Sequence, residues 1–434
     1  MQNKTKFKES EIGMIPEVWG VASFKEILGD KGYIRGPFGS ALRRPELKTE
    51  GIAVYEQEHA IYNSRNFRYY LDEKKFEELS RFQVKENDLI ISCSGTLGKA
   101  SIISKDDPKG IISQALLILR PDASKIRPLF LKYFIDSPRG FDSLVSRSTG
   151  SVQVNIAKRE IIEGILLSLP ELREQDAIVK FISDIDLKIE INQQMNKNVE
   201  AIGEALFKHW FMGFEFPDEK GMPYKSSGGK MVDSELGTIP GGWRCEKLGD
   251  VVLINHKSIN EGYQEKIIQY IDISSVSAGK LETVNTYNLE EAPSRAKRLV
   301  AHGDVIWSCV RPNRKSYLFI HKPPKNLVVS TGFAVLTPKG IPPSFLYCWV
   351  TTDEFVDYLA ANADGSAYPA VRPEHFSIAD ILLPPAPLLS RFENVMAPLM
   401  EKIAYNEEQC RTLCIIRDML LPRLMSGQIR VPAG

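Results

Sequence analysis

The feature that most constrains the fold of this chain is an internal repeat. The segment EIGMIPEVW at 11–19 returns as ELGTIPGGW at 235–243, with five of nine positions identical. Other apolar segments recur in the same order: DLIISC (88–93) with DVIWSC (304–309), LILRPD (117–122) with AVLTPK (334–339), FLKYFI (130–135) with FLYCWV (345–350), and LLSLP (166–170) with ILLPP (381–385). A repeat on this scale predicts a tandem duplication of one domain.

The matching segments differ in character from the chain between them. They are apolar runs, which are typical of buried strands and a packed helix. The intervening segments, such as 34–70 and 255–295, are polar and unlike each other. At 434 residues the chain also exceeds the usual size of one hydrophobic core. We therefore expect two similar α/β (α+β) domains that carry different recognition surfaces.

Each copy is followed by apolar residues at alternating spacings of four and three, the heptad pattern of a coiled coil. The first seam contains Ile178, Ile182, Ile185, Ile189, Asn192, Asn196, Val199 and Leu206, and the second contains Phe392, Met396, Leu399, Ile403, Asn406, Cys410, Leu413, Leu420 and Leu424. We expect two long helices that pair antiparallel as a spacer, with Pro170 and Pro387 before them. Asn192 and Asn406 either fix the register of this pair or lie solvated at its edge.

These patterns predict four segments. They are a first recognition domain at 1–170, a first long helix at 171–214, a linker with a second recognition domain at 215–385, and a second long helix with a C-terminal tail at 386–434.

Composition limits the class of protein. The 55 Lys and Arg residues balance 55 Asp and Glu residues, so any nucleic-acid surface must come from local patches. The N-terminal segment 1–13 is polar, and no run approaches the roughly 18 apolar residues of a membrane span. The six cysteines are scattered. We therefore expect a cytoplasmic protein with reduced thiols and no membrane contact.

Motifs for catalysis are missing from the sequence. SGTLGKAS at 94–101 lacks the upstream glycine of a phosphate-binding loop and the hydroxyl residue after its lysine. No GxGxxG segment opens a βαβ unit, and the six histidines have no HExxH spacing. We expect no catalytic residues and no metal ligands in this chain.

Candidate DNA contacts lie in loops at matching places in the two copies. No acidic residue occurs between Asp304 and Asp353, although several cations do. Arg and Lys bind phosphates, while Arg and Asn can read guanine and adenine edges with paired hydrogen bonds. The candidates are Arg35, Ser40, Arg43, Arg44, Thr96, Lys99, Arg147, Ser148, Ser151, Gln153 and Asn155 in the first copy, and Arg311, Asn313, Arg314, Lys315, Tyr368 and Arg372 in the second. Solvated basic loops and a tight hairpin at 94–101 are the alternative explanations.

The chain resembles the DNA-specificity subunit of type I restriction–modification systems over nearly its full length. The resemblance lies in IPEVW and IPGGW, in LPELREQDAIVKFISDIDLKIE (169–190), in ALFKHWF (205–211) and in LLPRLMSGQIRV (420–431). It implies a non-catalytic subunit with two target-recognition domains, each reading one half of a bipartite asymmetric DNA sequence. Trp19 and Trp243 are then expected to pack as core anchors.

The resemblance also implies partners. Two modification subunits would carry S-adenosylmethionine and methylate adenine N6, and two restriction subunits would supply ATP- and Mg-dependent translocation and cleavage for host defence. This chain itself would bind no cofactor. The apolar residues Phe207, Trp210, Phe211 and Phe214 exceed what one two-helix seam would bury. The residues predicted to bind subunits are Phe207, Trp210, Phe211, Leu420 and Leu424.

The sequence is also compatible with other functions. The second helix start lacks a counterpart of Glu174 and Gln175, which leaves open whether the two halves dock partners equally. A free-standing bivalent DNA-binding regulator would look the same on its DNA side, and a test for partners separates the two. A nuclease or methyltransferase fused in one chain is disfavoured, because the repeat occupies the whole sequence.

Overall fold

The computed structural model describes residues 6–146, 155–365 and 368–431, without the side chains of Ser40, Ser146 and Asn155. The chain forms two compact units. The first comprises Met1–Ile191 together with Cys410–Gly434, and the second comprises Asn192–Gln409. Along the sequence, the second unit is therefore inserted between two segments of the first.

The first unit combines short strands and short helices. Its strands are β1 (Phe7–Lys8), β2 (Ile15–Pro16), β3 (Gly20–Ser23), β4 (Leu28–Arg35), β5 (Ile52–Tyr55), β6 (Tyr70–Leu71), β7 (Leu89–Ser92), β8 (Ala100–Ile102), β9 (Gly110–Ile112), β10 (Leu116–Pro121), β11 (Val145–Ser146), β12 (Asn155–Ile156) and β13 (Leu166–Leu169). Its helices are α1 (Phe24–Ile27), α2 (Gln57–Ile61), α3 (Glu73–Glu78), α4 (Pro128–Asp136), α5 (Pro138–Leu144) and α6 (Arg159–Glu163), followed by the long helix α7 (Leu172–Phe207).

An antiparallel sheet in the order β4-β10-β7-β8 forms the centre of the first unit. The repeated segments DLIISC and LILRPD supply β7 and β10, and all four residues of β7 are buried. A continuous apolar run is expected for a strand covered on both faces. Beside this sheet, β5 pairs with β6 and, in parallel, with β9, while β3 pairs with β13.

The second unit has its own set of elements. Its strands are β14 (Met231–Ser234), β15 (Gly237–Pro240), β16 (Arg244–Lys247), β17 (Val252–Ile254), β18 (Ile267–Ile271), β19 (Val276–Ser277), β20 (Lys280–Leu281), β21 (Asn285–Asn288), β22 (Ala296–Leu299), β23 (Val305–Ser308), β24 (Tyr317–Phe319), β25 (Leu327–Ser330), β26 (Phe333–Pro338) and β27 (Asp380–Leu383). Its helices are α8 (Leu248–Val251), α9 (Pro343–Val350), α10 (Asp353–Ala361) and α11 (Pro373–Ile378), followed by the long helix α12 (Ala386–Met425).

The second unit repeats the strand arrangement of the first, which confirms the predicted duplication. Its central antiparallel sheet has the order β17-β26-β23-β24, β18 pairs in parallel with β25, and β16 pairs with β27. The side sheets differ: the first unit has β6-β5-β9, whereas the second has β21-β18-β25-β22. The difference falls in the segments whose sequences do not match. The predicted mixed fold of two similar domains, each followed by a long helix, is correct.

One buried aspartate shows how the copies have diverged inside the same sheet. Asp88 accepts hydrogen bonds from Arg120 at 2.7 and 2.8 Å, whereas its counterpart Asp304 accepts one from Thr337 at 2.7 Å. Each aspartate also accepts a backbone N–H three residues earlier, from Lys85 or Ala301. Burial raises the pKa of both carboxyl groups, and these hydrogen bonds oppose the shift.

The two long helices run antiparallel where they meet within each unit, as predicted. In the first unit, Arg417 pairs with Asp186 at 3.0 Å and the Cys410 thiol lies 3.6 Å from the Ile189 carbonyl oxygen. In the second unit, Asn192 donates to Gln409 at 3.1 Å. Residue numbers therefore fall along α12 as they rise along α7. The position of Pro387 was predicted wrongly, because α12 begins at Ala386 and the proline lies in its first turn, where no helical N–H is lost.

The asparagines of the seam are buried, and two of them are hydrogen-bonded to each other. Asn192, Asn196 and Asn406 are at most 9% exposed, which excludes a solvated edge. Asn406 donates to Asn196 at 2.8 Å, and Asn196 donates to the Ile403 carbonyl oxygen at 3.2 Å. Asn406 thus pairs with Asn196 and not with Asn192. Buried amides that bond only in one alignment favour one register of the two helices.

The repeated segment around Trp19 forms a socket for the residues that follow α12. The Trp19 indole N–H donates to Glu174 Oε2 at 2.8 Å, and Arg430 Nη2 donates to the same oxygen at 2.8 Å. Gly427 has a left-handed φ of 72°, and a Cβ atom there would lie 2.4 Å from Pro16 Cγ. The segment that follows α12 is therefore part of the first unit's core.

The second copy of this segment, around Trp243, packs against the residues that follow α7 through aromatic contacts and not through a charged pair. The Trp243 ring contacts the rings of Phe211, Phe214 and Phe216, with centroids 5.3–5.9 Å apart. Leu388, at the position that corresponds to Glu174, is buried. Trp19 and Trp243 are 1% and 6% exposed, so the prediction that they are core anchors is confirmed.

The predicted subunit-binding side chains lie in cores and require a correction. Phe207, Trp210, Phe211 and Leu424 are 1–9% exposed, and Leu420 is partly buried against the first core. The three aromatic side chains pack on Phe392, with centroids 4.8–5.9 Å away. A whole domain core, and not only the helix seam, covers these side chains, so their number does not require a partner subunit.

Glu174 and Gln175 also have internal partners. Gln175 is fully buried, donates to the carbonyl oxygens of Lys125 and Pro170, and accepts the Arg127 N–H. The pair therefore anchors the start of α7. Its absence before α12 follows from the apolar socket of the second unit and says nothing about docking.

The Glu174 socket yields a stability prediction. Replacing Arg430 with Gln leaves a carboxylate that is only 8% exposed without its cation, so the free energy of local opening should fall by about 1–3 kcal/mol. Amide hydrogen exchange in peptides covering 15–24 and 424–431 measures this change. Arg423→Gln, which changes an exposed arginine in the last turn of α12, serves as the matched control. Equal protection in the two variants would contradict the assigned role of Arg430.

Candidate nucleic-acid interface

Two loops of the first unit leave its central sheet side by side. The Gly36 N–H, just after β4, donates to the Leu116 carbonyl oxygen at 3.0 Å, and the Cys93 N–H, just after β7, donates to that of Ala115 at 2.8 Å. A Cβ atom on Gly36 would lie 2.0 Å from the Ser113 carbonyl oxygen, so this approach requires glycine. The loops at 36–47 and 93–99 therefore start at one end of the sheet.

The first of these loops presents cations to solvent. Arg43 and Arg44 are exposed at the start of a short 3-10 turn (Arg44–Glu46), which Glu46 caps by accepting the Arg43 N–H. Arg35 is half-buried, with its guanidinium 5.7 Å from the centroid of the exposed Phe38 ring. Burial raises the pKa of Cys93 to about 11, and the nearby Arg35 acts in the opposite direction. Arg35 is thus held inside the domain, while Arg43 and Arg44 are available to a ligand.

The second loop is a tight hairpin with an exposed lysine. Gly95 and Gly98 have φ values of 61° and 70°. The Gly98 N–H donates to the Ser92 carbonyl oxygen, and the Lys99 N–H donates to its hydroxyl. The tight hairpin, given above as the alternative explanation for 94–101, accounts for the glycines at these positions. Thr96 is exposed at its tip, and the Lys99 side chain is exposed at its base.

The third predicted segment of the first unit, 147–155, lies almost wholly outside the described residues. Arg147, Ser148, Ser151 and Gln153 lie outside the described residues, as do the side chains of Ser40 and Asn155. A Cβ atom on Gly98 would lie 3.0 Å from the Phe141 ring and 3.8 Å from Val145. Strand β11, which leads into this segment, is therefore next to the 93–99 hairpin.

The second unit brings two predicted segments together at the matching end of its sheet. The Cys309 N–H donates to the Gly332 carbonyl oxygen at 2.9 Å, the counterpart of the Cys93 contact. The Arg311 N–H donates to the Pro369 carbonyl oxygen at 2.7 Å, and Val310 forms a β-bridge with Ala370. The loop 309–316 and the segment around 368–372 are thus joined through their backbones.

The 309–316 loop has an unusual backbone. Arg311 and Lys315 have φ values of 51° and 54°, in the left-handed region that non-glycine residues rarely adopt. Such conformations cost on the order of 1–3 kcal/mol each and persist only where the surroundings enforce them. The buried Pro312 and the hydrogen bond from the Arg314 N–H to the Arg311 carbonyl oxygen enforce them here.

The side chains of this loop point to different places. The Arg311 guanidinium lies 4.6 Å from the centroid of the Tyr368 ring, and Tyr368 is 70% exposed. Asn313 and Arg314 are exposed beside it. Lys315 instead donates to Asp353 at 2.6 Å, and this hydrogen bond raises the pKa of the lysine. Arg372 lies 3.7 Å from Asp364, with both side chains exposed.

A cavity of about 390 Å³ lies under this loop within the second unit, and no sequence pattern predicted it. Its walls include Tyr317, Phe319 and Tyr347, with carboxylates from Glu200 and Glu204 of α7. Burial raises the pKa of Glu200. Lys315 lines this cavity, so its side chain is turned away from Arg311 and Tyr368. Carboxylates outnumber lysines in the lining of this cavity, which does not favour binding of a phosphate.

The described parts of the chain contain neither a cluster of metal-ligating side chains nor a membrane-spanning helix. Within 6–146, 155–365 and 368–431, His, Cys, Asp and Glu side chains form no group of three or more that could hold a metal ion. Among the same residues, no helix is both long enough and apolar enough to span a bilayer.

Comparison with known proteins agrees with the repeat and the fold. Residues 43–201 match the family model described as type I restriction modification DNA specificity domain. The chain is 25% identical to the type I restriction enzyme MjaIX specificity subunit of Methanocaldococcus jannaschii, over 99% of this chain and 97% of that protein. It is 24% identical to the HindI specificity subunit of Haemophilus influenzae, over 80% of this chain and 87% of that protein.

A solved structure has a similar fold. The S subunit of a type I restriction–modification system from M. genitalium superposes with a TM-score of 0.55 at 14% identity, covering 98% of this chain and 97% of that one. The duplicated sheets, the two long helices and these full-length relatives lead to one conclusion. Over nearly its full length, the chain is similar to the DNA-specificity subunits of type I restriction–modification systems.

Proposed function

We propose that this chain is the non-catalytic subunit that selects DNA for a type I restriction–modification complex, reading a bipartite asymmetric sequence with one half for each unit. One observation carries the proposal: the same central sheet occurs twice, and different loops leave its matching end in the two units. A single scaffold with two unlike loop sets suits two different half-sites. The recognition domains are proposed as 1–170 and 215–385, with the helices at 171–214 and 386–434.

The loop chemistry supports DNA as the ligand. Exposed cations lie at this end of each sheet, namely Arg43, Arg44 and Lys99 in the first unit and Arg314 in the second. Uncompensated Arg and Lys side chains position a protein on the phosphate backbone, while a smaller set of side chains reads base edges. A net charge of zero then confines attraction for DNA to these loops.

The partners are proposed from the family. The relatives are named as subunits of restriction enzymes, so methylation and cleavage would belong to other chains. We propose two modification subunits, which supply S-adenosylmethionine and methylate adenine N6, and two restriction subunits, which supply ATP and Mg chemistry. This chain would contribute selection and assembly only.

Exposed apolar side chains on the long helices replace the buried aromatics as docking candidates. Leu187 and Ile191 on α7 are 53% and 47% exposed, and Ile415 and Met419 on α12 are 57% and 58% exposed. Residues four apart are neighbours on one helix face, so each pair forms a small apolar patch. We propose that these patches of the first unit bind a modification subunit.

The recognition function predicts a defined methylation pattern. In cells that express this chain with its modification subunit, adenine methylation should fall on one bipartite asymmetric motif with a fixed gap, because two readers in one chain select both halves together. Long-read sequencing of the genomic DNA measures it. A cell with the modification subunit alone is the control. Methylation without a motif, or none with both proteins soluble, would favour a free-standing DNA-binding regulator instead.

The docking proposal predicts a loss of assembly. Ile415→Glu combined with Met419→Glu places two charges on an apolar contact, so co-purification of the modification subunit should fall at least about tenfold, a change of roughly 1.4 kcal/mol. Ile161→Glu is the matched control, because it alters an isoleucine that is 53% exposed on α6. Unchanged co-purification of the α12 double variant would overturn the assignment of this face.

A further inference from the structure

We propose that Arg311 reads a guanine in the major groove for the second unit, that Tyr368 holds its guanidinium in place, and that Arg314 contacts phosphate. This inference deepens the proposed function and rests on it. The sequence predicted only that this basic region contacts DNA. The inference gives three of its side chains separate roles.

The backbone of Arg311 is fixed before any ligand binds. Its φ of 51° is enforced by the hydrogen bond to the Pro369 carbonyl oxygen at 2.7 Å and by the buried Pro312 that follows. The Val371 N–H donates to the Cys309 carbonyl oxygen at 2.8 Å and closes the other side. A residue held in a rare conformation by its surroundings is a sign of function. Here the conformation directs one arginine to the loop end of the sheet.

The side chain of Arg311 is positioned by an aromatic ring. Its guanidinium lies over Tyr368 at 4.6 Å from the ring centroid, and the ring itself is 70% exposed. Stacking uses the face of the planar guanidinium, whereas the N–H donors lie along its edge. That edge matches the O6 and N7 acceptors of guanine, the commonest specific contact of arginine with DNA. Lysine cannot reproduce such a fork.

The other cations of the loop are placed for different tasks. Lys315 is paired with Asp353 at 2.6 Å and lines the cavity, while Arg372 is close to Asp364. Arg314 is exposed, and no ion pair with it occurs among the residues that the structure describes. An exposed, flexible cation suits a phosphate, which carries no sequence information. Specific reading is assigned to Arg311 because its planar guanidinium is held over Tyr368 by a fixed backbone conformation.

The first unit lacks this arrangement at the matching turn. The turn at 93–99 contains no arginine, and its one cation is Lys99, a compact charge on a flexible stem. A change at Arg311 should consequently affect one half of the target only. That asymmetry separates base reading from a general loss of DNA affinity.

The test compares methylation by the assembled complex with wild type, Arg311→Lys, Arg314→Gln and Lys325→Gln on a library of DNA targets. Arg311→Lys should relax one guanine position in one half-site, lowering discrimination there by about 5- to 150-fold. Arg314→Gln should keep the motif, weaken all targets alike, and reduce the salt dependence of binding by about one phosphate contact. Lys325, exposed on the loop at the opposite end of the sheet, should have no effect.

Several results would overturn the inference. The Arg311→Lys complex could methylate an unchanged motif, or lose base discrimination at a position other than guanine or in both half-sites. The half-site read by the second unit could also contain no guanine. Thermal melting of each variant, together with its retained reading of the first half-site, shows that the protein is folded. A wild-type complex that methylates at no defined motif contradicts the proposed function, and the inference with it.

Discussion

The antiparallel contact between the two long helices is the constraint on which each unit depends. In the first unit it places the end of α12 along the start of α7, so the tail can reach Trp19 and supply Arg430 to Glu174. In the second unit it places the start of α12 beside the end of α7, so Phe392 joins Phe207 and Phe211. Each domain core is therefore completed by segments that are distant in sequence, and the buried Asn196–Asn406 pair favours this alignment over a shifted one.

Stability and recognition are separated within each copy. Apolar strands such as β7 and β23 are fully buried and nearly alike in the two units, because close packing tolerates few changes. The loops at one end of the sheet carry no such restriction and differ completely. One copy presents a glycine hairpin with Lys99, and the other presents a left-handed turn that stacks Arg311 on Tyr368. A duplicated scaffold can in this way carry two unrelated surfaces without a new core.

The sequence was sufficient for features that depend on local periodicity and insufficient for those that depend on distant partners. Repeats and heptads predicted the duplicated sheets and the paired helices. The assignment of Trp210 and Phe211 to a partner surface failed, because their own core is closed by Trp243 and Phe392. The socket around Glu174 joins residues 256 positions apart, and no local pattern reveals it. Within RPNRK, composition could not separate Lys315 from Arg311, since left-handed backbone angles direct them to different places.

The central claim is that each unit reads its own half of the target on a shared scaffold. The most direct measurement exchanges residues 14–170 for the matching segment of a relative with a different known target, and maps adenine methylation by the resulting complex. The account predicts a new sequence in one half of the motif, with the other half and the gap unchanged. A change in both halves, or in neither, would contradict it.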